Sequence, residues 1–512
     1  MMKLFVLSFC PLRFRRLQLS LFLLGLVCLL LPVAAPAQVT FTGVNKSVNI
    51  GSQAVGSPSG TISLPFTIGA GTKVGSIAVL TSGITGMDFA QVRGSTCTAT
   101  TYTTATNCVV NVNFTPLAPG LRRGAVVFHS GAHNAGTVLA TVLVFGIGTG
   151  PQVVFGPGGA QTNIGHKFIS PQGVAVDAAG NVYVTDIGLQ EVFKVTSEGV
   201  QTTVGSGLLV PEGVAVDGAG NVYITDSQSA AVFKVTPGGK QTTVGSGWDF
   251  PSGIAVDGAG NVYVSDPFID GVFKVTPGGK QIAVGGGYNT PAGVAVDAAR
   301  NVYVADTYSA VVFKITAGGA QTTVGTALIS PAAVAVDAAG DVYITDAGTD
   351  TVYEVTPGGV QTTVTSGLDV PNGVAVGGSG NLYLANTYNK QVLKVDRADP
   401  TSLKFDPTKI NFTSKDSPKT VEVENIGNRS LKFSALTYPP DFPEGSANDD
   451  CTSSTSLAVA STCTLTIDFS PVTPLGSNTS VVLKEAVKLT TNNLNVPNTL
   501  QRVVVSGTET AK

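Results

Sequence analysis

The sequence predicts an all-β protein. Its 512 residues include 61 Gly and 28 Pro but only three Met, and 12% of them are charged, a composition without the marks of a helical domain. A 40-residue repeat runs through the middle of the chain. Each copy holds four short runs rich in β-branched and aromatic residues, separated by turn signals. The length suggests about three domains, with the repeats forming the central one.

The N-terminal segment has the features of a signal peptide. Basic residues between positions 3 and 16 precede an apolar run from Leu17 to Leu31, and Ala35-Pro36-Ala37 offers small residues for cleavage before Gln38. The run spans about 15 residues, whereas a membrane helix needs roughly 20, which argues against an uncleaved anchor. We therefore predict a signal peptide at 1–37 and a bacterial periplasmic, surface or extracellular protein. No transmembrane segment is expected in the mature chain.

The cysteines agree with export. Two of the six lie in the predicted signal peptide, and the others are Cys97, Cys108, Cys451 and Cys463. They form two short-range pairs in separate regions, so we predict disulfides Cys97–Cys108 and Cys451–Cys463. A zinc site would need closer Cys or His spacing, and the three His of the chain are not placed for one.

The repeated unit predicts the blade of a β-propeller. Its four runs follow the patterns Gly-Val-Ala-Val, Asn-Val-Tyr-Val, Val-Phe-Lys-Val and Gln-Thr-Thr-Val, with small variations. Asp-x-x-Gly and Thr-Pro-Gly-Gly supply turn residues after the first and third runs. Four antiparallel strands in about 40 residues make a propeller blade, not a strand-plus-helix repeat. The first run of each copy follows Pro171, Pro211, Pro251, Pro291, Pro331 and Pro371.

The order of the runs predicts a closed ring. A fourth-strand run at Gln161 precedes the first complete unit, and the last unit ends after its third run, at Val395. An open array would leave two sheet edges exposed, which proteins avoid. We therefore expect the early run to complete the last blade. The prediction is a six-bladed propeller at 151–397.

The motif Pro-x-Gly-Val-Ala-Val-Asp-x-x-Gly-Asn-Val-Tyr-Val-x-Asp resembles the NHL repeat. The likeness covers residues 160–396 and is closest to the extracellular sensor propellers of bacterial receptor-type serine/threonine kinases. It implies an NHL β-propeller but says little about function, because propellers have many functions. The chain departs from the NHL pattern before the third strand, where an Asn-Arg pair often stands. Here the first copy has Gln190-Glu191.

The regions on either side of the repeats resemble each other. In each of them a cysteine pair leads into a β-run that ends in Phe-x-Pro, at Phe114 and at Phe469. Alternating strands with frequent turn residues predict β-sandwiches at 38–150 and 398–512. The pattern is similar to bacterial immunoglobulin-like modules of the ASH or choice-of-anchor type. Residues 148–151 and 397–400 are predicted linkers.

Comparing the six copies separates two faces of the ring. The turns after the first and third strands hardly vary, whereas the loops after the second and fourth strands vary freely and share the opposite face. We place recognition on this varied face. Its aromatic residues would suit an extracellular protein, peptide or glycan, although several of them could simply cover blade ends. The predicted ligand-binding residues are Phe168, Trp248, Phe250, Phe268, Tyr288, Tyr308 and Tyr388.

An acidic ring is predicted to be structural. A carboxylate, or Asn in the last copy, ends every second strand. Such oxygens can bind hard cations, but each can also accept N–H bonds from its own loop as an Asx-turn, and we expect the second role. The residues are Asp186, Asp226, Asp266, Asp306, Asp346 and Asn386.

Enzymatic and nucleic-acid functions are not expected. Histidine-dependent propeller lyases need a ring histidine, and His166 is the only one in the repeats. A gluconolactonase-like calcium site using Glu212 and Asn372 is the alternative function, as part of a calcium-dependent lactonase or hydrolase. Residues 160–396 hold 10 Lys and Arg against 20 Asp and Glu, which disfavours phosphate backbones. We therefore predict a binding scaffold that is not an enzyme, with no catalytic residue, metal or cofactor.

Overall fold

The structure, a computed structural model, describes residues 38–156, 158–445, 451–472 and 480–510. The predicted signal peptide, with Cys10 and Cys28, lies outside these ranges. Within them no helix is long and apolar enough to cross a membrane. The helical structure of this part is a single 3₁₀ turn at Asn493–Asn495.

Residues 38–149, called the N-terminal module, form two main sheets. The strands are β1 (Val39–Phe41), β2 (Ser47–Ala54), β3 (Ile62–Ile68), β4 (Thr72–Lys73), β5 (Ser76–Thr81), β6 (Ile84–Thr85), β7 (Phe89–Gln91), β8 (Thr101–Tyr102), β9 (Thr106–Phe114), β10 (Gly120–His129) and β11 (Val138–Thr149). One sheet has the order β1-β3-β9-β7, the other β2-β11-β10-β5-β6, and β4 pairs with β8.

One core fills the space between these sheets. Phe66 of β3, Phe114 of β9 and Phe128 of β10 are buried in the same hydrophobic cluster. The alternating burial along β3 is the pattern of a strand with one face in a core. The predicted disulfide Cys97–Cys108 is present, with a Cα–Cα distance of 4.9 Å, and it packs into this core.

Residues 158–396 form the propeller. β12 (Val153–Gly156) and β13 (Gln161–Asn163) precede the first complete blade. Blade 1 has β14 (Pro171–Val176), β15 (Val182–Asp186), β16 (Glu191–Val195) and β17 (Gln201–Thr203); blade 2 has β18 (Pro211–Val216), β19 (Val222–Asp226), β20 (Ala231–Val235) and β21 (Gln241–Thr243). Blade 3 has β22 (Ile254–Val256), β23 (Val262–Asp266), β24 (Gly271–Val275) and β25 (Gln281–Ala283); blade 4 has β26 (Pro291–Val296), β27 (Val302–Asp306), β28 (Val311–Ile315) and β29 (Gln321–Val324). Blade 5 has β30 (Pro331–Val336), β31 (Val342–Asp346), β32 (Thr351–Val355) and β33 (Gln361–Thr365); blade 6 has β34 (Pro371–Val376), β35 (Leu382–Asn386) and β36 (Gln391–Val395).

The ring closes as predicted. β13 pairs antiparallel with β36, with Gln161 opposite Val395, and so provides the fourth strand of blade 6. Hydrophobic clusters join each blade to the next. The cluster at the closure combines Tyr383 and Val392 of blade 6 with Phe193 of blade 1. The β-propeller inferred from the repeat is therefore the central fold of the chain.

Glycine in the first strands lets the blades meet closely at the axis. A Cβ built on Gly213 would lie 2.5 Å from the Ser252 carbonyl oxygen of the next blade, and one on Gly173 would lie 2.5 Å from that of Glu212. Real Cβ atoms do not approach so closely. The crowding expected at the ring axis is thus a direct backbone contact.

The C-terminal module includes one strand from outside the residues predicted for it. Its own strands are β37 (Leu403–Lys404), β38 (Thr408–Lys409), β39 (Lys419–Asn425), β40 (Leu431–Thr437), β41 (Ser456–Leu457), β42 (Thr462–Ile467), β43 (Ser480–Thr491) and β44 (Thr499–Thr510). One sheet has the order β37-β44-β43-β40-β41 with β38 on β44, and the other has the order β12-β39-β42. The second predicted disulfide, Cys451–Cys463, joins its core.

The borrowed strand β12 comes from the region predicted to begin the propeller. It pairs antiparallel with β39, with Val153 opposite Asn425, and inserts Val153 and Phe155 into the C-terminal core. No local pattern could reveal this pairing, because the partner lies about 270 residues further along the chain. The C-terminal module thus consists of residues 153–156 and 403–510.

The flanking modules cover the face of the ring that carries the uniform turns, called the turn face. The Gly83 amide of the N-terminal module donates to the Gly218 carbonyl at 3.2 Å. A Cβ added to Gly380 of blade 6 would lie 2.6 Å from side-chain atoms of Val154 and Ile426 in the C-terminal module. Leu80 of the N-terminal module and Ala219 of blade 2 share a hydrophobic cluster. The opposite face, called the loop face, carries the varied loops.

Candidate binding face of the propeller

The acidic ring holds the loop face together. The Asp186 carboxylate is fully buried and accepts N–H bonds from Ile169 and Ser170 in one loop and from Gly188 in the other, at 2.8–3.0 Å. Asp346 makes the same set of bonds in blade 5. These bonds account for the carboxylates as Asx-type loop anchors, the role that the sequence predicted. They also fix the backbone beneath the two variable loops of each blade.

The side chains at two aligned positions on these loops lie so close together that they compete for the same space. A Cβ added to Gly188 would lie 2.5 Å from Ile169 Cγ2, and one added to Gly348 would lie 2.6 Å from Ile329 Cγ2. In blades 1 and 5 a bulky residue at the first position therefore requires glycine at the second. Blades 1 to 6 have the pairs Ile169/Gly188, Leu209/Gln228, Asp249/Phe268, Asn289/Tyr308, Ile329/Gly348 and Asp369/Tyr388.

Every blade presents at least one large exposed apolar side chain on this face, and blade 3 adds Ile269 beside Phe268. Exposure runs from 41% for Leu209 to 78% for Tyr308. We call this set the apolar rim. Its members are Ile169, Leu209, Phe268, Tyr308, Ile329 and Tyr388.

Three of the predicted binding residues are not on the surface. Phe168, Trp248 and Tyr288 are at most 7% exposed, and each packs edge-on against a third-strand Phe, as Trp248 does on Phe273 at 5.9 Å. The polar atom of the Trp248 ring is also satisfied within the protein, because Nε1 donates a hydrogen bond to the Val244 carbonyl. Leu208 fills the same position in blade 2. These residues seal the joints between blades, so their prediction as ligand contacts is corrected.

The other four aromatic residues are exposed or half-buried on the loop face. Phe268, Tyr308 and Tyr388 belong to the apolar rim, and half-buried Phe250 stacks on Phe268 with ring centroids 5.0 Å apart. The aliphatic rim members, Ile169, Leu209 and Ile329, are not among the predicted residues, because residue type alone singles out aromatic side chains on these loops. Aligning the copies position by position would have revealed the exchange between the two loop positions.

The channel through the ring opens inside the apolar rim. A cavity of about 250 Å³ is lined there by the starts of the first strands. Glu212, Asn372 and Gln172 make one side of this mouth polar, whereas Ala292 and Ala332 make the other apolar. Burial raises the pKa of the Glu212 carboxyl, which accepts a hydrogen bond from Ser227 Oγ at 3.3 Å.

The mouth does not offer the donor set of a calcium site. Glu212 is the one carboxylate among the six residues that follow the blade prolines. Asn372 turns its amide nitrogen to Thr387 Oγ1 at 3.0 Å. Within the described residues, the group of acidic, His or Cys side chains whose ligand atoms converge does not include Glu212. The residues present therefore do not fit the calcium-dependent alternative.

Comparison with known proteins assigns the chain to no family. No protein-family model and no curated protein matches the chain. Similar solved structures include virginiamycin B lyase from Staphylococcus aureus, with 13% identity, a TM-score of 0.38 and coverage of 48% of this chain and 99% of that one. A gluconolactonase from Xanthomonas campestris has 13% identity and a TM-score of 0.42, with coverage of 46% and 89%. An auxiliary nutrient binding protein from Bacteroides thetaiotaomicron has 11% identity and a TM-score of 0.40, with coverage of 70% and 98%.

These findings correct the prediction that the protein is not an enzyme. Two of the three similar proteins are propeller enzymes, a lyase and a lactonase. That the repeats hold a single histidine, His166, argues only against histidine-dependent chemistry and does not exclude other enzymatic activity. At 11–13% identity the likeness concerns the fold and transfers neither substrate to this chain.

Proposed function

We propose that this is an exported binding protein whose NHL-type propeller binds a polypeptide partner on the loop face. The apolar rim is the observation that carries the proposal. Six exposed large apolar side chains at one level of the ring are unusual for a surface that only meets water, and exposed apolar patches mark interaction sites. One or the other of the two aligned loop positions carries such a side chain in every blade, although the residue types differ.

The chemistry of the rim favours a polypeptide over a glycan. Three members, Ile169, Leu209 and Ile329, are aliphatic and offer a sugar neither a stacking surface nor a hydrogen bond. Acidic residues such as Asp249 and Asp270 lie exposed beside them. A partner with apolar anchors and Lys or Arg would complement both features.

The rest of the architecture agrees with this role. The flanking modules occupy the turn face, which leaves the loop face directed away from them. In this proposal the two modules are immunoglobulin-like sandwiches that hold the propeller at the cell envelope. The buried anchor Asp186 and its copies keep the backbone of the loops fixed, so that binding requires little ordering of the free protein.

Site-specific photo-crosslinking on intact cells would test the proposal. A photoreactive residue placed at Phe268, Tyr308 or Tyr388 should give a discrete protein adduct, competed by excess unlabelled wild-type protein. Val200 and Val360 are matched controls, because both are apolar and more than half exposed but lie at turn-face corners. Equal adducts at rim and control positions, or none at the rim, would refute the proposal.

A second candidate function rests on Glu212. A buried carboxyl with a raised pKa beside a small cavity is suited to general acid–base catalysis on a small molecule. Turnover of a panel of lactones and aryl esters should then be lost in Glu212→Gln and kept in Glu191→Gln, an exposed Glu on the same face. This candidate fails if the wild-type protein turns over none of them or if Glu212→Gln stays active.

A further inference from the structure

Blade 5 departs from the other blades where it meets the C-terminal module. In blades 1 to 4 the amide of an Asn donates to the turn Asp, as Asn181 Nδ2 does to Asp177 Oδ2 at 2.7 Å. Blade 5 has Asp341 at the position of that Asn, facing the turn residue Asp337. Two carboxylates therefore meet where the other blades have a donor and an acceptor.

A second charge reversal accompanies the first. Blades 1 to 4 place a third-strand Lys over the second-strand Tyr, as with Lys194 over Tyr183 at 5.4 Å. Blade 5 has Glu354 at the Lys position, and Arg397 from the segment predicted as a linker lies over Tyr343 instead, at 5.3 Å. The Lys that would offset the second carboxylate is thus absent from this blade.

The single arginine does not balance the cluster. Arg397 bonds both oxygens of Glu354 at 3.0 Å and also bonds Glu424 of the C-terminal module. Four buried or partly buried acidic groups, Asp337, Asp341, Glu354 and Glu424, thus surround one cation. Burying such an excess of negative charge is costly unless another positive group enters.

Asp341 indicates where that positive group would lie. Its side chain is fully buried, and neither carboxylate oxygen has a hydrogen-bond donor. Ligand oxygens of Asp337, Asp341 and Glu354 all lie within 4.8 Å of one another. Calcium binds oxygens at about 2.3–2.6 Å, so oxygens on opposite sides of one ion are up to about 5 Å apart.

A cavity lies beside one member of the cluster. Asp337 and its neighbour Gly340 line a cavity of about 430 Å³ between the turn face and the N-terminal module. The cavity is large enough for water molecules, which complete the six to eight oxygen ligands that calcium requires. We propose that Asp337, Asp341 and Glu354 bind a divalent cation of the calcium class, which fastens blade 5 to the C-terminal module.

Calcium titration of the chain from Gln38 to Lys512, one compact unit, would test the proposal. After treatment with chelator, calcium should bind stoichiometrically in calorimetry and raise the melting temperature. Terbium, a luminescent substitute, should be sensitised by tyrosine, because the Tyr343 hydroxyl lies 3.0 Å from Asp337 Oδ2. Absence of both binding and stabilisation in the wild-type protein would overturn the site.

Asp341→Asn is the decisive variant, because it restores the residue of blades 1 to 4 and should fold. Losing a ligand should weaken calcium and terbium binding by about tenfold or more. Without calcium this variant should be at least as stable as the wild-type protein. Asp249→Asn, an exposed site, controls for the change in charge and should bind calcium normally.

Two outcomes would contradict the assignment. A calcium response that is unchanged in Asp341→Asn would place the ion elsewhere. The second outcome is a proton shared between Asp337 and Asp341 in place of a metal. In that case the wild-type protein would ignore calcium and lose stability as the pH rises, and Asp341→Asn would not.

Discussion

Replacing Arg397 with Ala tests how far the buried ion network holds the propeller to the C-terminal module. The guanidinium is 2% exposed and neutralises Glu354 of blade 5 and Glu424 of β39. Removing it leaves two buried carboxylates without their counter-charge. Loss of one partner of a buried ion pair costs about 3–5 kcal/mol.

A neighbouring pair provides the control. Lys394 and Asp396 lie only 2.6 Å apart, closer than Arg397 and Glu354 at 3.0 Å, but they are 27% and 22% exposed. Solvent screening limits such a pair to about 0–1 kcal/mol. Lys394→Ala should therefore destabilise the protein much less than Arg397→Ala, although its contact is the shorter one.

Urea denaturation at a fixed calcium concentration measures both effects. Trp248, the single Trp of the chain, lies in the joint between blades 2 and 3, so its fluorescence reports on the propeller. Far-UV circular dichroism follows the sheets of all three parts. If Arg397→Ala costs no more than Lys394→Ala, burial does not determine the strength of these pairs and the reasoning is wrong.

Three further predictions concern the propeller. Gly213→Ala should cost about 1–3 kcal/mol in urea melts, because its Cβ would clash with the Ser252 carbonyl; a neutral result would mean that the first strands can separate. Trp248→Ala should lower the free energy of unfolding by about 3–5 kcal/mol, since it leaves a cavity beside Phe273 in the joint between blades. An unchanged melting temperature would show that Trp248 is not buried there. The pKa of Glu212 is raised by burial, so its stabilising contribution is full below about pH 4 and is lost as the pH rises through the folded-state pKa. Glu212→Gln should therefore gain stability over the wild-type protein from acid to neutral pH, and parallel melting curves at all pH values would contradict this.

Much of the propeller follows from the sequence because its signals are local and repeated. The four runs, their turns and the unpaired run at Gln161 specify blade structure, blade number and ring closure. The Asx role of Asp186 also follows from its place at a strand end beside its own loop. The two disulfide pairings could be predicted for the same reason, since Cys97–Cys108 and Cys451–Cys463 each join residues that are near in sequence.

Only part of the candidate site could be predicted from the sequence. Phe268, Tyr308 and Tyr388 were found by residue type, whereas Phe168, Trp248 and Tyr288 have the same chemistry but point into the blade joints. Side-chain direction at a loop position depends on the packing of the next blade, which no single copy of the repeat encodes. The aliphatic members of the apolar rim could be predicted only by knowing that the two aligned loop positions lie next to each other in space.

The all-β ring, its blade order and its two unlike faces follow from the amino-acid sequence, because they depend on turn chemistry and strand periodicity that are repeated six times. Only the folded chain shows which face is covered, that β12 belongs to the C-terminal module, and that Arg397 meets Glu354 of blade 5. Those features depend on contacts between segments far apart in the chain, such as Arg397 with Glu354 and Val153 with Asn425. Burial and charge balance, which set their energies, exist only once those segments meet.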